Sequence, residues 1–94
     1  MKAPRIPHPT SPGEMLTEEF LIPMELTQSE LARKIGTTPR AINEICLGKR
    51  AISPRMAMLL ADYFGNTPEF WMGLQVAWDL WKEWEKFGKK KRSA

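Results

Sequence analysis

Apolar residues recur every three or four positions in short blocks along this chain. Each block opens on a capping residue and closes near glycine or proline. Leu16, Phe20 and Leu21, with Met15, share a face in the first block, and Leu31, Ala32 and Ile35 in the second. Ile42 and Ile45 do so in the third, and Ala57, Leu60, Ala61 and Phe64 in the fourth. This period predicts amphipathic helices. The boundaries are marked locally. Ser11-Pro12, Thr38-Pro39, Ser53-Pro54 and Thr67-Pro68 each offer a hydroxyl at the N-cap and proline at the first helical position, where no amide donor is needed. Ser11 to Glu14 and Thr27 to Glu30 also have capping-box spacing. The predicted helices run from about Pro12 to Leu21 or Ile22, Gln28 to Ile35, Pro39 to about Leu47, Pro54 to Phe64, and Pro68 to Lys86 or Phe87. Gly36, Gly48, Gly65 and Gly88 follow the last four. No segment alternates as a strand would and no repeat is visible. The expectation is an all-α fold of five helices, with a proline-rich extended arm over residues 1–11, a domain over 12–87 and a disordered basic tail over 88–94.

The second and third helices meet at Gly36-Thr37-Thr38, a helix-turn-helix candidate at about residues 28–47. Ala32 is small where the helices would cross. Gly36, four residues later, suits a turn with positive φ. Ile42 and Ile45 then seat the third helix on the second. A helical hairpin with no DNA role fits this spacing as well, so the outward face matters. Arg40, Asn43, Glu44 and Leu47 lie on one side of the third helix at i, i+3, i+4 and i+7. Arginine pairs with two guanine acceptors and asparagine with adenine N6 and N7. Glu44 is open to three roles: accepting from a cytosine amino group, orienting Arg40 one turn away, or repelling wrong sequences. Gln28, Thr37, Thr38, Lys49 and Arg50 suit phosphates.

Charge sharpens this picture. The 94 residues carry a net charge of only +3. Residues 28–55 alone carry +4, and so do residues 82–94, separated by acidic stretches. The first basic block coincides with the helix-turn-helix, where a phosphate backbone would select it. One cysteine and one histidine exclude an internal disulfide and a two-histidine metal site. No apolar run is long enough for a bilayer, and the proline-rich start lacks the apolar core of a signal peptide. No Ser/His/Asp set, carboxylate pair or phosphate-cradling glycine loop is present, so no enzyme and no cofactor or metal is expected.

Residues 28–36, Gln-Ser-Glu-Leu-Ala-Arg-Lys-Ile-Gly, resemble the helix-turn-helix of the XRE/Cro family of regulators. Ile42 to Ile45, Gly48 to Arg50, Thr67 to Trp71, Leu74-Gln75 and the opening Pro12-Gly13-Glu14 with Leu16, Glu19 and Phe20-Leu21 resemble a narrower group, the HigA (VapI-type) antitoxins. The resemblance implies a five-helix, lambda-repressor-like DNA-binding domain that acts as a homodimer on a palindromic double-stranded operator. It implies repression of its own operon, neutralisation of a HigB-type ribonuclease toxin, and a place in the bacterial cytoplasm, with the nucleoid when on DNA. Gln28, Thr38, Arg40, Asn43, Glu44, Lys49 and Arg50 would form the DNA face. Pro39 departs from the pattern: many relatives place a polar, base-reading side chain there, and proline has none, so base reading shifts towards Arg40 and Asn43.

The fifth helix holds all four tryptophans. Phe70, Trp71 and Leu74 are expected to close the core. Beyond Ala77, Trp78, Trp81 and Trp84 form a stripe that a monomer would expose, as a dimer contact or, alternatively, a toxin or membrane-surface contact. A protein-interaction module, or a regulator with no toxin, is the alternative to the antitoxin reading. His8 is expected to pack or face solvent, and Cys46 to be a small buried residue.

Overall fold

A computed structural model of the chain describes residues 8–92, with side chains to residue 88. The architecture is all-α, five helices with a helix-turn-helix at the centre. α1 (Pro12–Met15) opens as expected: Ser11 Oγ accepts the Glu14 amide at 3.1 Å. It then widens without a break into a π-helical stretch, Leu16–Leu21, which the sequence period did not reveal. The Ile22 amide reaches back five residues to the Thr17 carbonyl at 3.0 Å. The wider turn brings Leu16 and Leu21, five positions apart, into the core together, where a regular α-helix would turn them well apart.

α2 (Gln28–Ile35), α3 (Pro39–Cys46) and α4 (Pro54–Phe64) start on Thr27, Thr38 and Ser53, whose hydroxyls each accept an amide three residues on. α5 (Pro68–Arg92) departs from expectation at its far end. It passes Gly88, where the sequence placed its stop, so residues 88–92 of the expected disordered tail are helical. A glycine ends a helix by turning to positive φ, and Gly88 does not do so. Residues 1–7 of the expected arm, and Ser93 and Ala94, lie outside the described residues.

Leu16, Leu31, Ile42, Ile45, Leu60 and Trp71 are fully buried and join all five helices in one core. Trp71 is stacked among Phe20 and Phe64, and its indole N–H donates to Asn66 Oδ1 at 2.8 Å. Two ties fix the reading head. Gly13 lies so close to the carbonyls of Ile45 and Cys46 that a Cβ there would overlap them, so α1 sits directly on the end of α3. The buried Gln75 of α5 accepts the Ile52 amide at 2.8 Å and donates to Asp79 at 2.9 Å, which pins the loop after α3.

Candidate nucleic-acid interface

Three local devices position α3. Thr27 and Glu30 exchange hydrogen bonds of 3.0 Å, each side chain taking the other's amide, and so fix the start of α2. Gly36 then takes a left-handed conformation, φ +78°, and the Thr37 amide closes on the Ala32 carbonyl at 2.9 Å. Without a Cβ it adopts this turn at little steric cost. Thr38 Oγ1 accepts the Ala41 amide at 3.1 Å, which leaves its hydroxyl proton to donate elsewhere. Ala41, Ile42 and Ile45 face the core, so Arg40, Asn43 and Leu47 are turned to solvent.

Two side-chain links organise that face. Asn43 Nδ2 donates to Gln28 Oε1 at 3.0 Å, joining the start of α2 to the middle of α3. Glu44, its side chain only 25% exposed, lies between two arginines. Its Oε1 accepts from Arg50 Nε at 2.9 Å and Nη2 at 2.6 Å, and its Oε2 lies 3.5 Å from Arg40 Nε. The Arg50 hydrogen bonds hold the Glu44 carboxyl below the usual carboxylate range, so it is ionised at neutral pH. The Arg40 side chain remains 84% exposed. Lys49 is exposed just beyond α3, and its amide closes on the Glu44 carbonyl at 2.8 Å.

The structure therefore brings Gln28, Thr37, Thr38, Arg40, Asn43, Glu44, Lys49 and Arg50 onto the helix-turn-helix and the loop that follows it. Sequence spacing found Arg40 and Glu44, one turn apart. It missed the stronger Glu44–Arg50 pair, because six residues and a helix end separate them. It also gave no role to Gln75, whose one visible signal was a polar residue beside the apolar positions of α5.

The tryptophan stripe is not laid open in the way its spacing implied. Trp78, Trp81 and Trp84 are all half-buried. The Trp78 and Trp81 rings lie 5.2 Å apart, and the His8 ring of the arm meets them edge-on at 5.6 and 4.4 Å. The open apolar positions on α5 lie elsewhere: Phe70 and Phe87 towards its ends and, between them, Val76, 52% exposed, and Leu80, 59%. Helical spacing turns the latter two away from Trp71, Gln75 and Trp78. Burial pushes the half-buried Cys46 thiol up, away from reactivity. Among the described residues, no group of three or more His, Cys, Asp or Glu could hold a metal, and no helix is long and apolar enough to cross a membrane.

A family model described as Helix-turn-helix matches residues 18–71. Antitoxin HigA-1 of Vibrio cholerae is 44% identical over 73 residues, covering 78% of this chain and 69% of that protein. This chain belongs to the HigA/VapI-type branch of the XRE/Cro helix-turn-helix family. Solved structures of antitoxins agree in fold. Pseudomonas aeruginosa antitoxin HigA, determined with the higBA promoter, superposes with a TM-score of 0.83 at 35% identity, covering 87% of this chain and 89% of that one. Antitoxin GraA in complex with its operator gives 0.85 at 32% identity, covering 99% and 94%. The matched part spans about two-thirds of the HigA-1 sequence.

Proposed function

We propose that this chain is a sequence-specific operator-binding repressor that works as a homodimer in the bacterial cytoplasm, and that it is the antitoxin of a HigB/HigA-type pair. The observation that carries the reading is the α3 face: a braced, solvent-exposed Arg40 beside Asn43, on a helix whose other side is core. Two similar antitoxins, HigA solved with the higBA promoter and GraA with its operator, support it. In this mechanism α3 enters the major groove. Arg40 meets guanine, and Asn43 keeps its carbonyl and second amide hydrogen for a neighbouring base. Gln28, Thr37, Thr38, Lys49 and Arg50 fix the register on phosphates. A second copy carries the other reading head to a half-site about 34 Å away. The exposed Val76 and Leu80 of α5 offer the pairing surface, since His8 lies against Trp78 and Trp81. A bound dimer excludes polymerase from the promoter.

The test is fluorescence anisotropy with the DNA upstream of the chain's own gene. Arg40→Ala should cost about 1–3 kcal/mol on that site and relax one base position. Lys49→Ala should weaken binding to all sequences and flatten the salt dependence. Unchanged affinity and salt slope after both substitutions would overturn the docking. The toxin pairing is tested by co-expression with the product of the adjacent reading frame: rescue of growth from a toxic ribonuclease supports it, and no rescue overturns it.

A further inference from the structure

A carboxylate on a DNA-facing surface repels phosphates, so Glu44 lowers the affinity of this face for DNA in general. Its geometry points to what it supplies in exchange. Arg50 grips Oε1 with two N–H groups, and the Arg50 amide also closes on the Glu44 carbonyl at 3.2 Å. The carboxylate is thereby held from the loop side as well as from α3. Its second oxygen faces Arg40 in an ion pair whose closest approach is at Nε, 3.5 Å. Of the two edges with which a guanidinium can form paired hydrogen bonds, the Nε edge is the one nearest the carboxylate, which directs the Nη1–Nη2 edge towards a base. A long, 84% exposed arginine would otherwise sample many rotamers and meet phosphates as readily as bases.

We propose that Glu44 is a positioning residue that sets base specificity: anchored by Arg50, it holds Arg40 by Nε so that the Nη1–Nη2 edge meets guanine, and it does not itself read cytosine. The inference rests on the operator-binding reading above. It adds that the Arg40–Glu44–Arg50 chain, and not Arg40 alone, is the unit of recognition. It also gives Arg50 a second role beside phosphate contact, as the anchor of that chain.

The experiment starts from a duplex that the wild-type protein selects from a random-sequence pool. The guanine read by Arg40 is the position at which Arg40→Ala loses discrimination. Affinities of wild type, Glu44→Gln, Arg50→Gln and the Arg40→Ala/Glu44→Gln double variant are then measured on the selected duplex, on its single-base variants and on unrelated DNA. Circular dichroism checks that each variant folds. Glu44→Gln should lower discrimination at the Arg40 guanine by about tenfold while raising affinity for unrelated DNA. Arg50→Gln should lower discrimination at the same base by less. In the double variant, Glu44→Gln should add no loss to that of Arg40→Ala. Unaltered discrimination at that base in Glu44→Gln overturns the proposal. So does an equal loss at every base, which would mean general loosening, and so does a loss at a cytosine that persists without Arg40. If the wild type selects no duplex, the operator-binding reading itself fails, a result distinct from all of these.

Discussion

The helix-turn-helix and the last helix each begin at a capping threonine, yet they are specified in different ways. α2 and α3 are eight residues each, and their positions follow from contacts within three or four residues: Thr27 with Glu30, Thr38 with Ala41, Gly36 at the turn. α5 is 25 residues long and carries apolar side chains on opposite sides. Which of its sides is covered depends largely on partners far away in sequence, namely α1, Ile52 and the arm's His8. Short, capped elements declare themselves; a long helix with two apolar faces does not.

The comparison breaks most visibly at the tryptophans. Trp71 is fully buried with its indole N–H satisfied, so Trp71→Ala should cost about 3–5 kcal/mol in urea denaturation. Trp84, half-buried farther along the same helix, should cost less than half of that. Equal costs would mean that the far end of α5 is as much a part of the core as its start. The next largest effect concerns association. Leu80→Glu should weaken self-association at least tenfold, about 1.4 kcal/mol, by sedimentation equilibrium. Trp81→Ala should leave it nearly unchanged, because His8 already lies over that ring. The opposite result would restore the tryptophan stripe as the pairing surface.

The positions of all five helix starts, the turn at Gly36 and the outward set Arg40, Asn43 and Glu44 were legible because their causes are local. Four features were not, for reasons that can be named. The π-helical widening at Leu16–Leu21 lets both leucines reach the core shared with the other helices, which a local period cannot show. Gly13 looks like an ordinary first-turn residue until α3 is laid against it. The sequence places a stop at Gly88, but glycine only permits a left-handed turn and does not by itself enforce one. The Glu44–Arg50 pair crosses a helix end, where periodicity carries no information. On the α3 face, the outward side chains and the Arg40–Glu44 pair were legible, and the links to Gln28 and Arg50 were not.

A smaller perturbation sharpens the local half of the comparison. Thr38→Ala removes the acceptor for the Ala41 amide and should cost about 1 kcal/mol of stability, measured by chemical denaturation. A negligible cost would show that Pro39 and the packing of Ile42 suffice to start the recognition helix without a cap.

The smallest effect expected is that of the carboxylate in the other cap. Glu30 accepts the Thr27 amide, and that hydrogen bond, followed by the Thr27 side-chain contact, holds its carboxyl below the ordinary range. A carboxyl whose pKa is lower in the folded than in the unfolded chain favours folding above the unfolded-state value. That contribution is lost as the pH falls through the folded-state value. Wild type should therefore melt slightly above Glu30→Ala at neutral pH, and the difference should close as acid protonates Glu30, because alanine is the better helix former once the charge is gone. Melting curves of both proteins from pH 7 down to pH 3 follow the closure. A gap that stays constant across that range would place the stabilisation in the uncharged side chain and remove the charged cap from the account of how α2 begins.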